Sequence, residues 1–260
     1  MPELPDVEGF RRVLAEHAKG ATIRKVDVLD RQVLHGTDAT GLREALSGNR
    51  FAEPRRHGKW LIAGIDGDRQ TLLFHFGMTG ELVWTEHDAP AHRYDRVVFG
   101  FDSGELRYRD LRKLKGLWLE REPRDHGELA GLGPDACLLS RDELGKLLSR
   151  SRGGVKATLT DQAVVAGLGN LLGDEILWRA RLHPRERADR LGRGDVTRVH
   201  AAMVSVLRQG IRVGRVPPRP SWLTGHRNEP SGHCPRCGTV LSHARIGGRA
   251  TVWCPRCQPV

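Results

Sequence analysis

Apolar residues recur along this chain with two different periods, and the change of period divides it. Val7, Phe10, Val13 and Leu14 share one helical face, which predicts a helix over residues 5–19 that stops at Gly20. Short β-rich runs follow at Ile23–Leu29, Trp60–Ile65, Thr71–Phe76, Glu81–Trp84, Arg96–Phe101, Glu105–Tyr108 and Gly116–Leu119, with a short helix at Leu42–Leu46. Asp66-Gly67-Asp68 and Asp102-Ser103-Gly104 read as hairpin turns. Strands at this frequency predict an antiparallel sandwich or barrel. Pro123 to Pro134 is rich in Gly, Pro and charge and reads as a linker. From Ser140 the period becomes helical, through Leu144, Leu147 and Leu148, then Ile176 and Leu177, then Val199, Met203, Val206 and Leu207. Gly167-Leu168-Gly169-Asn170 opens the second of these helices, and Val213–Pro220, with three prolines, reads as an extended connector. The expected architecture is α+β and multidomain. An antiparallel β-sandwich with a leading helix fills 1–122, a linker 123–134, a helical domain 135–220 and a cysteine module 226–260.

Cysteine spacing adds a metal to this layout. Cys234 and Cys237, then Cys254 and Cys257, form two C-P-R-C pairs separated by sixteen residues, enough for a β-hairpin to bring them together. Four thiolates close a tetrahedral Zn²⁺ site with no position left for water or substrate, so one structural zinc ion per chain is expected. Two disulfides are the alternative, and they suit a secreted protein better than this one. Cys137 stands apart and is expected to pack as a small hydrophobe.

Charge narrows the partners. The 260 residues carry 42 Lys+Arg against 32 Asp+Glu, a net charge of +10, which favours polyanions and above all nucleic acid. Arginine outnumbers lysine 35 to 7, so codon bias is the bland explanation of the same excess. The acidic, proline-bearing start Met1-Pro2-Glu3-Leu4-Pro5-Asp6 lacks the basic and apolar regions of a signal peptide, and no apolar run approaches a membrane span. Secretion and membrane insertion are not expected, and a cytoplasmic location is.

Four small constellations carry candidate chemistry. Removal of Met1 would leave Pro2 with a secondary amine, partly neutral at pH 7 and able to form an iminium with a sugar carbon, with Glu3 beside it as proton donor and acceptor. Ordinary helix-entry chemistry accounts for the same residues. Asn170 after Gly169 suits a helix start that holds phosphate, or a plain N-cap. Arg249 after Gly247-Gly248 suits a phosphate clamp, or a solvated side chain. Met78, between glycines in His75-Phe76-Gly77-Met78-Thr79-Gly80, suits a wedge in a base stack, or a core position.

Taken together and in order, these motifs resemble the Fpg/Nei family of bacterial DNA glycosylases, the Fpg branch more than the Nei branch. The resemblance runs from Pro2-Glu3-Leu4-Pro5-Asp6-Val7-Glu8 through Arg56-His57-Gly58-Lys59, His75 to Gly80, Leu106-Arg107-Tyr108 with Asp110, and Asp161-Gln162 with Val165 to Asn170. It ends in Gly248-Arg249-Ala250-Thr251 and Cys254-Pro255-Arg256-Cys257-Gln258. It implies a helix–two-turn–helix fold in the helical domain and a zinc-ribbon hairpin at the C-terminus. It implies Pro2 as nucleophile, Glu3 as acid/base and Lys59 near the lesion and its phosphates. Asn170, Arg249 and His75 would hold DNA phosphates, and Met78 with Arg112 would fill the gap left by an everted base. The implied partner is duplex DNA carrying damaged bases or abasic sites. The implied reaction is base excision followed by β,δ-elimination, for which a monomer suffices.

The chain departs from the Fpg pattern in three places. Asp6 stands where Glu is usual. Arg112-Lys113-Leu114-Lys115-Gly116 replaces Arg-Arg-Phe-Gly, so Leu114 takes the place of the aromatic wedge and one residue is added. The Gly210 to Gly225 stretch is shorter and Pro-rich, which leaves a base pocket more open. Ring-opened purines, oxidised pyrimidines or bulkier lesions are therefore expected ahead of 8-oxoguanine. Two other readings use the same residues: a lyase acting mainly on abasic sites, and a non-catalytic zinc protein that binds damaged DNA.

Overall fold

The computed structural model describes residues 1–66, 70–87, 89–229 and 231–260. They form two compact units, Met1–Gly131 and Leu132–Val260.

In the first unit, α1 (Leu4–His17) buries Leu4, Val7 and Leu14. Glu3 is its N-cap in extended conformation, and the Glu3 N–H donates to Asp6 Oδ2 at 2.8 Å. The shorter Asp6 therefore closes the helix start, satisfying a donor that the helix itself leaves open. Then come β1 (Lys25–Val28), β2 (Leu34–His35), α2 (Ala39–Leu46), β3 (Arg50–Phe51), β4 (Arg55–His57), β5 (Trp60–Asp66) and β6 (Thr71–His75). After them lie β7 (Glu81–Thr85), β8 (Asp95–Phe101), β9 (Gly104–Arg109), β10 (Leu117–Glu120) and α3 (Gly127–Ala130). One sheet has the order β1-β8-β9-β7; the other runs β2-β10-β6-β5-β3, with β4 also paired to β5. Along β8, Asp95, Val97, Phe99 and Phe101 are buried and the residues between them are not, the alternation of a strand with one face on a core. Phe51, Phe74, Phe76, Phe99, Phe101 and Tyr108 fill that core, and α1 and α2 add Leu14 and Leu42.

The expected strands are present, each within two residues of its predicted ends. Among the named strands of the described residues, the sandwich departs from a purely antiparallel one where β2 joins β10 in parallel. The turn expected at Asp66-Gly67-Asp68 falls, beyond Asp66, outside the described residues. The stretch expected as a linker carries a 3₁₀ turn at Pro123–Asp125 followed by α3, and the buried His126 packs 4.6 Å from Trp60 and 5.2 Å from Trp118.

The second unit contains α4 (Arg141–Ser149), α5 (Val155–Thr160), α6 (Asn170–Ala180), α7 (Arg193–Val213), α8 (Leu223–His226) and the hairpin β11 (Ser242–Ile246) with β12 (Arg249–Trp253). Ser140 and Glu143 form a capping box at the start of α4. Arg181 and Gly214 end α6 and α7 in the left-handed conformation. Cys137 is exposed, contrary to its expected core position: its N–H bonds to Asp135 Oδ1 at 3.0 Å, and the turn points it outward beside Leu138, 81% exposed. Among the described residues no helix is long and apolar enough to cross a membrane.

Candidate active site and nucleic-acid interface

Chain direction places the first candidate groups. Met1 is 43% exposed, Pro2 is half-buried, and Glu3 is fully buried at the head of α1. The hairpin of β4 and β5 packs against α1, with Arg56 Nε 3.5 Å from Glu8 Oε2. Burial pushes the Glu8 carboxyl up, but Arg11, Arg56 and Arg12 outweigh it and hold the group below the usual carboxylate range. Arg56 Nη1 donates to Gly58 O at 2.9 Å, and Gly58 turns with φ +55. That tight turn carries Lys59, half-buried, on the element packed against the helix of Pro2 and Glu3.

A second group lies on the loops after β6 and β9. His75 Nδ1 accepts the Gly77 N–H at 3.0 Å, so the neutral ring carries its proton on Nε2. Burial and the neighbouring Lys115 and Lys59 push its pKa down to about 4. His75 is thus a neutral donor rather than a cationic clamp. Met78 is 40% exposed and Leu114 52% exposed, which excludes the core reading of Met78. Arg112 Nη1 sits 3.1 Å from Met78 Sδ, and the Arg112 N–H bonds Thr79 Oγ1 at 3.0 Å and Asp110 Oδ1 at 3.1 Å. Met78, Arg112 and Leu114 therefore form one protruding edge.

In the second unit, Asn170 is the first residue of α6, behind Gly169 as N-cap, so it is not the plain cap of the alternative reading. Its Nδ2 donates to Ala250 O at 2.8 Å, next to Arg249 at the start of β12. Gly247 and Gly248, at φ +56 and +73, make the tight turn that leaves Arg249 exposed. Behind these two residues lies a buried charge cluster that sequence reasoning missed. Lys156 Nζ reaches Asp174 Oδ1 at 2.6 Å, Thr251 Oγ1 at 2.7 Å and Ala250 O at 3.3 Å. Arg227 pairs with Asp174 Oδ2 and also donates to Ala250 O at 2.5 Å. One carbonyl thus joins the helix start to the hairpin. The signal was present in Lys156 itself, a lysine in an Arg-rich chain, but only Asp174 is near it in sequence, and its hairpin partners Ala250 and Thr251 are more than ninety residues away.

The four zinc-motif cysteines converge, with all Sγ atoms within 4.8 Å of one another. Separations of 3.5 Å and 4.0 Å are too long for disulfides and match the roughly 3.8 Å between thiolates at ~2.3 Å from a tetrahedral zinc. Trp178 Nε1–H lies 3.3 Å from Cys234 Sγ, and the Cys257 N–H 3.4 Å from Cys254 Sγ, so N–H donors face the negative sulfurs. This donor set fits structural zinc.

Four further lysines are paired with carboxylates. Lys19 pairs with Glu53 at 2.8 Å, Lys25 with Asp27 at 2.8 Å, Lys113 with Asp30 at 2.9 Å and Lys115 with Glu128 at 2.6 Å.

Residues 1–117 match the formamidopyrimidine-DNA glycosylase N-terminal domain, 131–218 the H2TH domain of the same enzymes, and 233–260 the zinc finger found in FPG and IleRS. The formamidopyrimidine-DNA glycosylase of Lactobacillus helveticus is 34% identical over 100% of this chain and 99% of its own length. That of Symbiobacterium thermophilum is 37% identical over 100% of this chain and 90% of its own. The chain belongs to the formamidopyrimidine-DNA glycosylase family. Among solved Fpg structures, Lactococcus lactis Fpg in complex with DNA containing an abasic site superposes with TM-score 0.87 at 29% identity, covering 99% of this chain and 100% of that one. The same enzyme with N7-benzyl-Fapy-dG DNA gives TM-score 0.87 at 29% identity over 100% of both chains. Trp222 is buried under Arg179, whose guanidinium lies 4.6 Å from the ring centre, and His226 Nε2 is 2.7 Å from Pro220 O. Glu175, fully buried, bonds Arg179 at 2.8 Å and the Thr224 N–H at 3.3 Å; burial raises its pKa despite Arg179.

Proposed function

We propose that this protein is a base excision repair DNA glycosylase with AP lyase activity, removing oxidised or ring-opened bases from duplex DNA. The observation that carries the reading is a buried carboxylate, Glu3, directly behind the half-buried Pro2 at the capped head of a helix, in a chain whose whole length matches the family. After removal of Met1, the Pro2 nitrogen attacks C1′ of the everted nucleotide, the base leaves with its electron pair, and an iminium forms. The cation acidifies the C2′ proton, and elimination expels the 3′-phosphate and then the 5′-phosphate. Glu3 exchanges protons at the opened sugar, and Lys59 supplies positive charge beside it. Asn170, Arg249 and the Nε2–H of neutral His75 meet phosphates, while Met78, Arg112 and Leu114 enter the stack. Zinc supplies no chemistry; bound by Cys234, Cys237, Cys254 and Cys257, it holds the hairpin that carries Arg249. A nucleoid location belongs to the same proposal.

Borohydride reduction of the protein on abasic-site duplex gives a covalent adduct that disappears in Pro2→Gly. No adduct on any lesion would favour the non-catalytic binder instead. The Trp222-anchored connector supports the expectation that bulky and ring-opened lesions precede 8-oxoguanine, since it ties the Pro-rich stretch to α6. Trapping across 8-oxoguanine, formamidopyrimidine and dihydrouracil duplexes tests that order; faster capture of 8-oxoguanine reverses it.

A further inference from the structure

We propose that Lys113 is a positioning residue that presets the Met78–Arg112–Leu114 edge for entry into the base stack, and so controls cleavage of lesions that are still paired. The proposal rests on the glycosylase reading above and adds a residue that the reading does not use. Residues 110–116 form the loop between β9 and β10. Lys113 takes φ +52 there, a left-handed conformation that glycine accepts freely and a lysine adopts only under restraint.

The restraint is visible at both ends of the loop. Lys113 Nζ bonds Asp30 Oδ2 at 2.9 Å and also Gln32 Oε1. Asp30 accepts the Gln32 N–H at 3.0 Å and lies 3.5 Å from Arg96, whose Nε donates to Asp110 O at 2.7 Å. Asp110 is fully buried and accepts from Thr79 Oγ1 and the Arg112 N–H. The ring Lys113–Asp30–Arg96–Asp110 thus closes on the loop from both sides. Gly116 seals its exit, since a Cβ there would stand 1.9 Å from Val33 O.

Between these fixed ends Leu114 is exposed, beside Met78 of the β6–β7 loop, whose sulfur lies 3.1 Å from Arg112 Nη1. In a chain of net charge +10, an ammonium on a DNA-facing loop would ordinarily serve phosphate. Here it is spent inward on a carboxylate, so its contribution is the shape of the loop rather than attraction. Eversion is hardest for a paired base and easiest where the base is already missing. A loosened wedge therefore slows paired lesions more than abasic sites.

The test compares single-turnover cleavage of a dihydrouracil·guanine duplex with that of an abasic-site duplex, for wild type, Lys113→Ala, Lys113→Gly, Asp30→Ala and the Lys113→Ala/Asp30→Ala double variant. The ratio of paired-lesion to abasic rate falls about fivefold to tenfold in each single variant, as expected for loss of a charged hydrogen bond. The double variant falls no further, because both changes remove one interaction. Lys113→Gly relieves the backbone and melts higher than Lys113→Ala, yet keeps the lowered ratio; a merely structural lysine would have ratio and stability recover together. An unchanged ratio, or additive losses, overturns the role of Lys113. Wild type inactive on the abasic duplex would instead overturn the glycosylase reading.

Discussion

The sandwich unit and the helix–zinc unit hold their candidate groups by opposite means. In the first, an aromatic core of Phe51, Phe74, Phe76, Phe99, Phe101 and Tyr108 fixes the sheets, and the groups proposed to react sit at its margins, on a helix head and two tight turns. In the second, the groups proposed to meet phosphate stand on buried charge and beside the zinc site. Lys156, Asp174 and Arg227 lie beneath Asn170 and Arg249, and four thiolates stand at the base of the hairpin. The difference follows from what each task demands. Nucleophile and proton carrier need one geometry and little charge, which packing supplies. Phosphate contacts need positive potential close to the surface, and buried cations sharing one carboxylate leave a net positive charge there.

If that contrast is right, the units break differently. Asp174→Asn leaves Lys156 and Arg227 buried without their counter-charge, and is expected to destabilise the second unit by about 3–5 kcal/mol. Thermal denaturation followed by Trp178 and Trp222 fluorescence measures it, and a loss under about 1 kcal/mol would mean that the cluster is only loosely coupled to the fold. Cys254→Ser, or zinc removal by a chelator, lowers affinity for abasic-site duplex by roughly a hundredfold by freeing the hairpin, with β-sheet circular dichroism preserved. Unchanged affinity would detach Arg249 from the grip.

In the first unit a half-buried imidazole adds a pH dependence. His75 has a folded pKa near 4 against 6.5 for the free side chain, so the unfolded chain takes up a proton first as pH falls. Stability is lost between about pH 6.5 and 4, by roughly 2–3 kcal/mol, and His75→Gln flattens that limb of the melting-temperature profile. The smallest effect belongs to Arg249→Ala. It weakens binding about fivefold to tenfold and reduces the slope of log affinity against log salt by about one, the signature of a single phosphate contact.

Much of this was legible in the chain because the deciding signals are local. The strands β5, β6, β8 and β9 are long enough for apolar periodicity to show, and each C-P-R-C places two ligands within one turn. β2 and β3, two residues each, are too short to carry a period, and β4 is Arg55-Arg56-His57, polar throughout. The parallel pairing of Leu117 with Leu34 is decided by contacts more than eighty residues apart. Candidate residues were legible through motif, but their neighbours were not. That Asn170 turns its amide to Ala250, or that Lys113 reaches back to Asp30, depends on tertiary closure that no spacing rule contains. Cys137 fails for the same reason: residue type predicts burial on average, and one turn anchored at Asp135 decides otherwise.

The engaged lysines bear on selectivity between amines. A ring-opened deoxyribose offers an aldehyde to any neutral amine in reach, and primary amines are abundant in most DNA-binding proteins. This chain has only seven lysines, and Lys19, Lys25, Lys113, Lys115 and Lys156 already face carboxylates. A lysine tied to a carboxylate is less free to reach a sugar aldehyde, so the Pro2 nitrogen proposed as nucleophile competes with fewer primary amines.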